Sequence, residues 1–165
     1  MIRLMEMGDL EVIGEIVNKN WKDTYSAYVN PELLSDVGCE KRKQEIEEEL
    51  ISGSLMNYVY EDEGTVKALL TFGKTADADK PDAFEIWRIY VSHDSQGKGI
   101  GRMLLEFAER QAAASGFREI VIWAFKENGK AVSFYQKSGY VIDKTVDLGE
   151  PYDAEGVRFC KGIPR

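Results

Sequence analysis

Groups that cross-link or bind zinc are scarce in this 165-residue chain. It has two cysteines, Cys39 and Cys160, far apart and without C-x-x-C spacing, and one histidine, His93. That scarcity excludes a disulfide framework and an ordinary zinc site, so no metal is expected. No repeat, low-complexity tract or linker rich in Pro, Gly or Ser interrupts the chain, so residues 1–165 read as one domain. The longest apolar runs, such as Ile120 to Phe125, fall far short of the roughly 20 residues that span a bilayer. The stretch from Met1 to Glu6 lacks the basic and apolar regions of a secretory signal, and a cytoplasmic address is the expectation. Positive charge is also in deficit, with 21 Lys+Arg against 29 Asp+Glu and a net charge of −8. A chain so charged repels a phosphate backbone, so neither nucleic acid nor an anionic membrane is an expected partner.

What is present suffices for a core, since 44% of residues are hydrophobic and 11% aromatic. Ile2 to Met5 reads as a short strand, and Asp9 as the cap of a helix with Leu10, Ile13, Ile16 and Val17 facing inward. Asn30-Pro31 opens a short helix through Leu34, and Glu40 to Ile51 is a charged helix with Ile46, Leu50 and Ile51 inward. In that helix Glu45, Glu47, Glu48 and Glu49 read as a solvated face. Met56–Glu61 and Thr65–Phe72 flank the turn Asp62-Glu63-Gly64 as a hairpin, and Phe84–Val91 is the next strand. A helix over 102–115, a buried strand over 120–125, a helix over 129–138 and strands over 140–148 and 157–161 complete the chain. The order β-α-α-β-β-β-α-β-α-β-β predicts an α/β sandwich with a mixed sheet.

The chemistry concentrates where the strand Glu85 to Val91 runs through Ser92–Ser95 into Gln96-Gly97-Lys98-Gly99-Ile100-Gly101 and then a helix. Glycines let backbone approach a ligand closely, and a helix N-terminus offers unpaired N–H groups and a partial positive charge. Lys98 and Arg102 add cations, so a pyrophosphate suits this turn. A dinucleotide fingerprint would need glycine where Arg102 stands, and a Walker loop would need Ser or Thr where Gly99 stands.

These residues resemble the GCN5-related N-acetyltransferase (GNAT) family. Gln96 to Gly101 fits its Q/R-x-x-G-x-G/A loop, and Asn128, Ala131, Phe134, Tyr135, Gly139 and Tyr140 fit its N-x-x-A-x-x-F-Y-x-x-x-G-Y/F segment. The resemblance implies the GNAT α/β fold, a mixed, mostly antiparallel central sheet flanked by helices. It also implies acetyl-CoA as co-substrate and direct transfer to a primary amine in a ternary complex. Backbone N–H groups of Gly97, Lys98, Gly99, Ile100 and Gly101 would hold the pyrophosphate beside Arg102, with Gln96 and Asn128 adding polar contacts. Ala131 and Phe134 would line the coenzyme, Phe134 mainly as core, and the main chain of Ile89, Tyr90 and Val91 would pair with the pantetheine arm. The Ile89 amide would face the developing oxyanion.

Two side chains are candidates for proton transfer. Tyr135 is the expected acid for the thiolate leaving group. Glu85 lies eleven residues before Gln96, where histone-acetylating members place a catalytic glutamate, and alternation puts it on the side of Trp87 and Ile89. It is either the base or a strand-end carboxylate paired with Arg88 or a lysine; many members deprotonate through water instead. His93 reads as a loop residue and Cys160 as a small core residue. Trp21, Tyr25 and Tyr28 fall where the family builds its acceptor pocket, or else pad the core. The acidic residues Asp147, Glu150, Asp153 and Glu155 around the last turn suggest a cationic acceptor, or a solvated loop. A peptide N-terminus or lysine, a coenzyme sensor without catalysis, and a homodimer are the further options that the family leaves open.

Overall fold

A computed structural model describes residues 1–164. The elements are β1 (Ile2–Leu4), α1 (Leu10–Tyr25), α2 (Asp36–Ser52), β2 (Met56–Asp62), β3 (Thr65–Lys74), β4 (Phe84–Val91), α3 (Ile100–Ala114), β5 (Glu119–Phe125), α4 (Gly129–Lys137), β6 (Val141–Asp147) and β7 (Glu155–Gly162). Short 3₁₀ turns cover Met7–Asp9, Pro31–Leu34 and His93–Ser95. The sheet runs in the order β1-β2-β3-β4-β5-β7-β6. Only β4 and β5 are parallel among the described strands.

Helices cover the two faces of this sheet. On one, α3 buries Leu104, Leu105 and Ala108 against Leu70, Phe72, Ile86, Ile120, Ile122 and Phe159. On the other, Ile13 and Val17 of α1 and Ile46 of α2 pack on Val59 and Leu69. The inward stripe of α1 is the one its sequence spacing predicts. Asp9 does not cap it by side chain: its backbone is already helical, and its carboxylate accepts from Arg3 at 2.9 and 3.0 Å and from the Glu6 N–H at 2.8 Å.

Helix α2 starts four residues earlier than expected because Ser35 is a true cap, its Oγ accepting from the Gly38 N–H. Ile46 is buried and Leu50 half-buried, but Ile51, about 100° further around the helix, is exposed. Glu49 is likewise not on a solvated face. It turns toward the sheet and forks onto Arg88 of β4 at 2.7 and 2.9 Å.

Two irregularities in β4 shape the cleft beside it. Between Thr71↔Arg88 and Phe72↔Ile86 the register with β3 shifts, leaving Trp87 as an extra residue. A bulge of this kind switches the faces of the side chains beyond it. Ile86 and Ile89 therefore share the α3 face, while Glu85 and Arg88 lie opposite Gly73 and Thr71 on the other. The expectation that Glu85 sits on the side of Ile89 is corrected by this one residue. Pairing of β4 with β5 is also confined to Phe84–Ile86 against Ile120–Ile122, after which the two strands part.

The loop between β3 and β4 is clasped to the sheet by Arg158 of β7. The guanidinium is buried and donates to Asp77 at 3.0 Å, to Asp79 at 2.7 and 2.8 Å, and to Asp143 at 3.0 Å on two nitrogens. Those bonds hold the Asp79 and Asp143 carboxyls below the usual carboxylate range. Removing the cation would leave carboxylates facing one another, so Arg158→Met should lower Tm by roughly 5–10 °C at neutral pH. Carboxyls with depressed pKa values stabilise the fold above their unfolded values near 3.9 and lose that contribution as pH falls through the folded values. Melting curves should therefore show the gap between wild type and variant constant above about pH 5 and narrowing below about pH 4.

Candidate active site

The loop after β4 is shaped by two left-handed glycines. Gly97 has φ +75° and Gly99 φ +83°, and a Cβ at either would meet nothing within 4 Å. Both positions open onto free space beside the N-terminus of α3, a helix of 15 residues. The N–H groups of Gly97, Lys98 and Gly99 have no protein acceptor among the described residues, and those of Ile100, Gly101 and Arg102 precede the first intrahelical bond, from Met103 to Gly99 at 3.1 Å. These donors lie together at the positive end of one helix dipole, an arrangement that fits a pyrophosphate.

Beside this loop lies a cavity of about 450 Å³, against the stretch of β4 that no longer pairs with β5. Ile89, Tyr90 and Val91 form one wall, and Asn128, Ala131, Phe134 and Tyr135 of the α4 region form the other. Gln96, Gly97, Gly99, Ile100, Gly101 and Arg102 close the loop end. The Ser92 N–H bonds back to Lys67 of β3 at 2.8 Å, so by strand alternation the main-chain groups of Ile89 and Val91 face the opening and those of Tyr90 face β3. Residues expected at the site from two separated sequence segments therefore converge on one cleft.

Several polar groups in this cleft are already engaged. The Val91 carbonyl accepts from Asn20 at 3.0 Å and Gln96 at 3.1 Å, and Gln96 also donates to the Asn20 oxygen at 3.2 Å. The Gln96 oxygen accepts from Lys130 at 3.2 Å. Gln96 thus braces the loop. Asn128 uses its oxygen to cap α4, accepting from the Ala131 N–H at 3.2 Å, which leaves its NH₂ for a ligand. Lys98 is exposed and does not line the cavity.

A profile of the acetyltransferase (GNAT) family matches residues 15–140. The chain belongs to the GNAT acetyltransferase family. The spermidine N(1)-acetyltransferase of Thermoplasma acidophilum is 26% identical over 153 residues, spanning 87% of this chain and 89% of that protein. Among solved structures, an N-acetyltransferase from Staphylococcus aureus superposes with TM-score 0.78 at 24% identity over 99% of this chain and 98% of that one. The PaiA N-acetyltransferase from Thermoplasma acidophilum, solved with coenzyme A, gives 0.73 at 22% identity over 98% of each chain. Likeness at these identities establishes the GNAT fold.

Within this GNAT cleft Tyr135 is buried, yet its hydroxyl has no partner among the described residues and its ring lines the cavity. Burial pushes its pKa upward, so the phenol stays protonated. Glu85 is placed differently. It is buried outside the cavity lining, with Oε2 unpartnered among the described residues, and burial followed by the charge of Asp77 pushes its pKa to about 8. Arg88, its suggested partner, is taken by Glu49.

His93 is an exposed loop residue, and burial raises the Cys160 thiol away from reactivity. Of the acidic residues at the β6–β7 turn, Asp147 accepts from the Gly149 N–H and Glu155 pairs with Lys126 at 3.1 Å. Sequence reasoning missed Asn20 and Thr24 of α1, which line the cavity. Asn20 continues the apolar stripe of Ile13, Ile16 and Val17, and an amide on a buried stripe is the signal that marks it.

A Cβ at Gly101 would stand 3.7 Å from Phe134 in ordinary contact, so bulk there fills the cradle without straining the backbone. Gly101→Val should weaken acetyl-CoA binding more than tenfold, about 1.4 kcal/mol, with the circular dichroism of the fold retained. Titration calorimetry on the folded variant checks this.

Proposed function

We propose that this GNAT enzyme transfers acetyl from acetyl-CoA to a small cationic primary amine by direct attack in a ternary complex, with Tyr135 as the acid. The observation that carries this reading is the partnerless Tyr135 hydroxyl in the wall of the cleft that the α3 N-terminus also faces. An alkylamine with pKa near 10.4 is neutral in about one molecule in 10³ at pH 7, so the acceptor must lose a proton. Glu85, with a free oxygen and a pKa raised to about 8, is suited to take that proton through water. The Ile89 N–H is the donor assigned to the charge that develops on the acyl oxygen. Tyr135 then protonates the departing thiolate and is itself reprotonated from solvent. The net charge of −8, Glu150 and Asp153 without ion pairs among the described residues, and the relative named for spermidine all favour a cationic acceptor.

The two proton carriers leave different kinetic traces. Tyr135→Phe keeps the ring but removes the donor, so coenzyme affinity should survive while kcat falls roughly 10- to 10³-fold at every pH. Wild-type kcat/KM should rise with pH up to about 8, as Glu85 ionises. In Glu85→Gln that limb should move toward the amine's own pKa, so that raising pH restores much of the rate. Stopped assays of thiol release across pH distinguish the two; identical profiles would mean that the roles are wrongly assigned.

A further inference from the structure

The outer end of the cleft holds a cluster of rings that the proposed chemistry does not use. Phe125, the last residue of β5, is its hub, with centroids 4.8 Å from Tyr25, 5.9 Å from Tyr28 and 6.0 Å from Tyr152. These rings come from α1, the segment after it and the β6–β7 turn, and the Asn30 N–H bonds to the Tyr152 carbonyl at 3.0 Å to hold the turn in place. Tyr25 joins the two regions, because it lines the coenzyme cavity and packs on Phe125. An acceptor whose amine reaches that cavity from this side must lay the rest of its body along these rings.

Two polar features at the rim suggest what that body carries. The Tyr28 hydroxyl oxygen is buried without a partner among the described residues. Glu127 is exposed and makes no ion pair among the described residues; burial first, and then the charge of Glu127, push Tyr28 up to about 12. Its neighbour Lys126 is neutralised by Glu155, so Glu127 is the charge left over on the segment after β5. The same cluster already accepts a cation on one outer face, where the Arg42 guanidinium stacks 4.2 Å from the Trp21 ring, which is edge-on to Tyr25.

We propose that this aromatic wall, with Tyr28 and Glu127 at its rim, is the subsite that holds the methylene chain and non-reacting ammonium of a diamine or longer polyamine. Rings stabilise the chain by apolar contact and the cation through their faces, while the carboxylate supplies an unpaired negative charge that salt can screen. This assignment rests on the cationic-amine reading above and names the residues that would give it selectivity.

The test compares 1,4-diaminobutane, butylamine and phenethylamine as acceptors for the full-length protein, with calorimetry of acetyl-CoA alongside. Wild type should prefer the diamine over butylamine by at least about tenfold in kcat/KM, and added salt should erode the preference. Glu127→Gln, an exposed change that leaves folding intact, should reduce that ratio by about tenfold. Phe125→Leu should raise KM for the diamine without changing acetyl-CoA affinity. An unchanged ratio in Glu127→Gln would overturn the subsite, as would phenethylamine outrunning the diamine, which would mean that the wall reads an aromatic body. Absence of acetyl-CoA binding in the wild type would instead bring down the donor-site reading beneath it.

Discussion

The parting of β4 from β5 is the constraint on which the rest of the site depends. Three parallel pairs join the strands, and past Ile86 the backbone of β4 has no neighbouring strand on that side. An open strand edge inside a protein is costly unless something satisfies it. Here Asn20 and Gln96 satisfy the Val91 carbonyl, while the Ile89 main chain is left facing a cavity sized for a ligand. The bulge at Trp87 sits at the point where the pairing stops, and it reverses the side-chain faces there. It gives the α3 face Ile89 and turns Arg88 to Glu49, so one extra residue both ends the ladder and re-aims the rest of the strand.

Positive potential in the cleft comes from fixed backbone groups as well as from charged side chains. Lys98 lies outside the cavity lining, but Lys130, which donates to Gln96, and Arg102, which makes an exposed pair with Glu106 at 2.9 Å, both line it, and these cations add to the field of the backbone N–H groups and the α3 dipole. Such a field is fixed by the fold and needs no rearrangement to receive an anion, whereas a flexible lysine must be ordered first. An acidic protein can in this way hold positive potential in one cleft.

Much of this architecture was legible in the sequence. The glycine loop, the strand before it and the Asn128–Tyr140 segment each announce a local geometry, and the element order and GNAT architecture are consistent with them. What escaped reading depended on contacts between distant elements. Period-two alternation places Glu85 beside Ile89, and nothing local to Trp87 reveals the bulge that separates them. Glu49 looks like any other glutamate of a charged helix until Arg88, far along the chain, comes under it. Ser35 was the nearer signal for the start of α2, and the stronger helix-like pattern from Glu40 masked it. The burial that raises Glu85 is a property of the packed sheet and of Asp77 in the clasped loop, neither of which its spacing from Gln96 encodes.

The shared carbonyl of Val91 ties two distant segments of the chain together at one wall of the cleft. Asn20 belongs to α1, which also carries Tyr25, and Gln96 belongs to the glycine loop; both donate to the same oxygen and bond to each other. The helix and the loop, whose bonded residues lie 76 positions apart in the chain, therefore share one anchor. Losing either amide would leave the other members of this triangle with a bond fewer, so the loop, the helix and the end of β4 are pinned as a set. A loop rich in glycine is thereby held to the body of the fold at its first residue, and the freedom of its left-handed turns at Gly97 and Gly99 is confined to the residues after that pin.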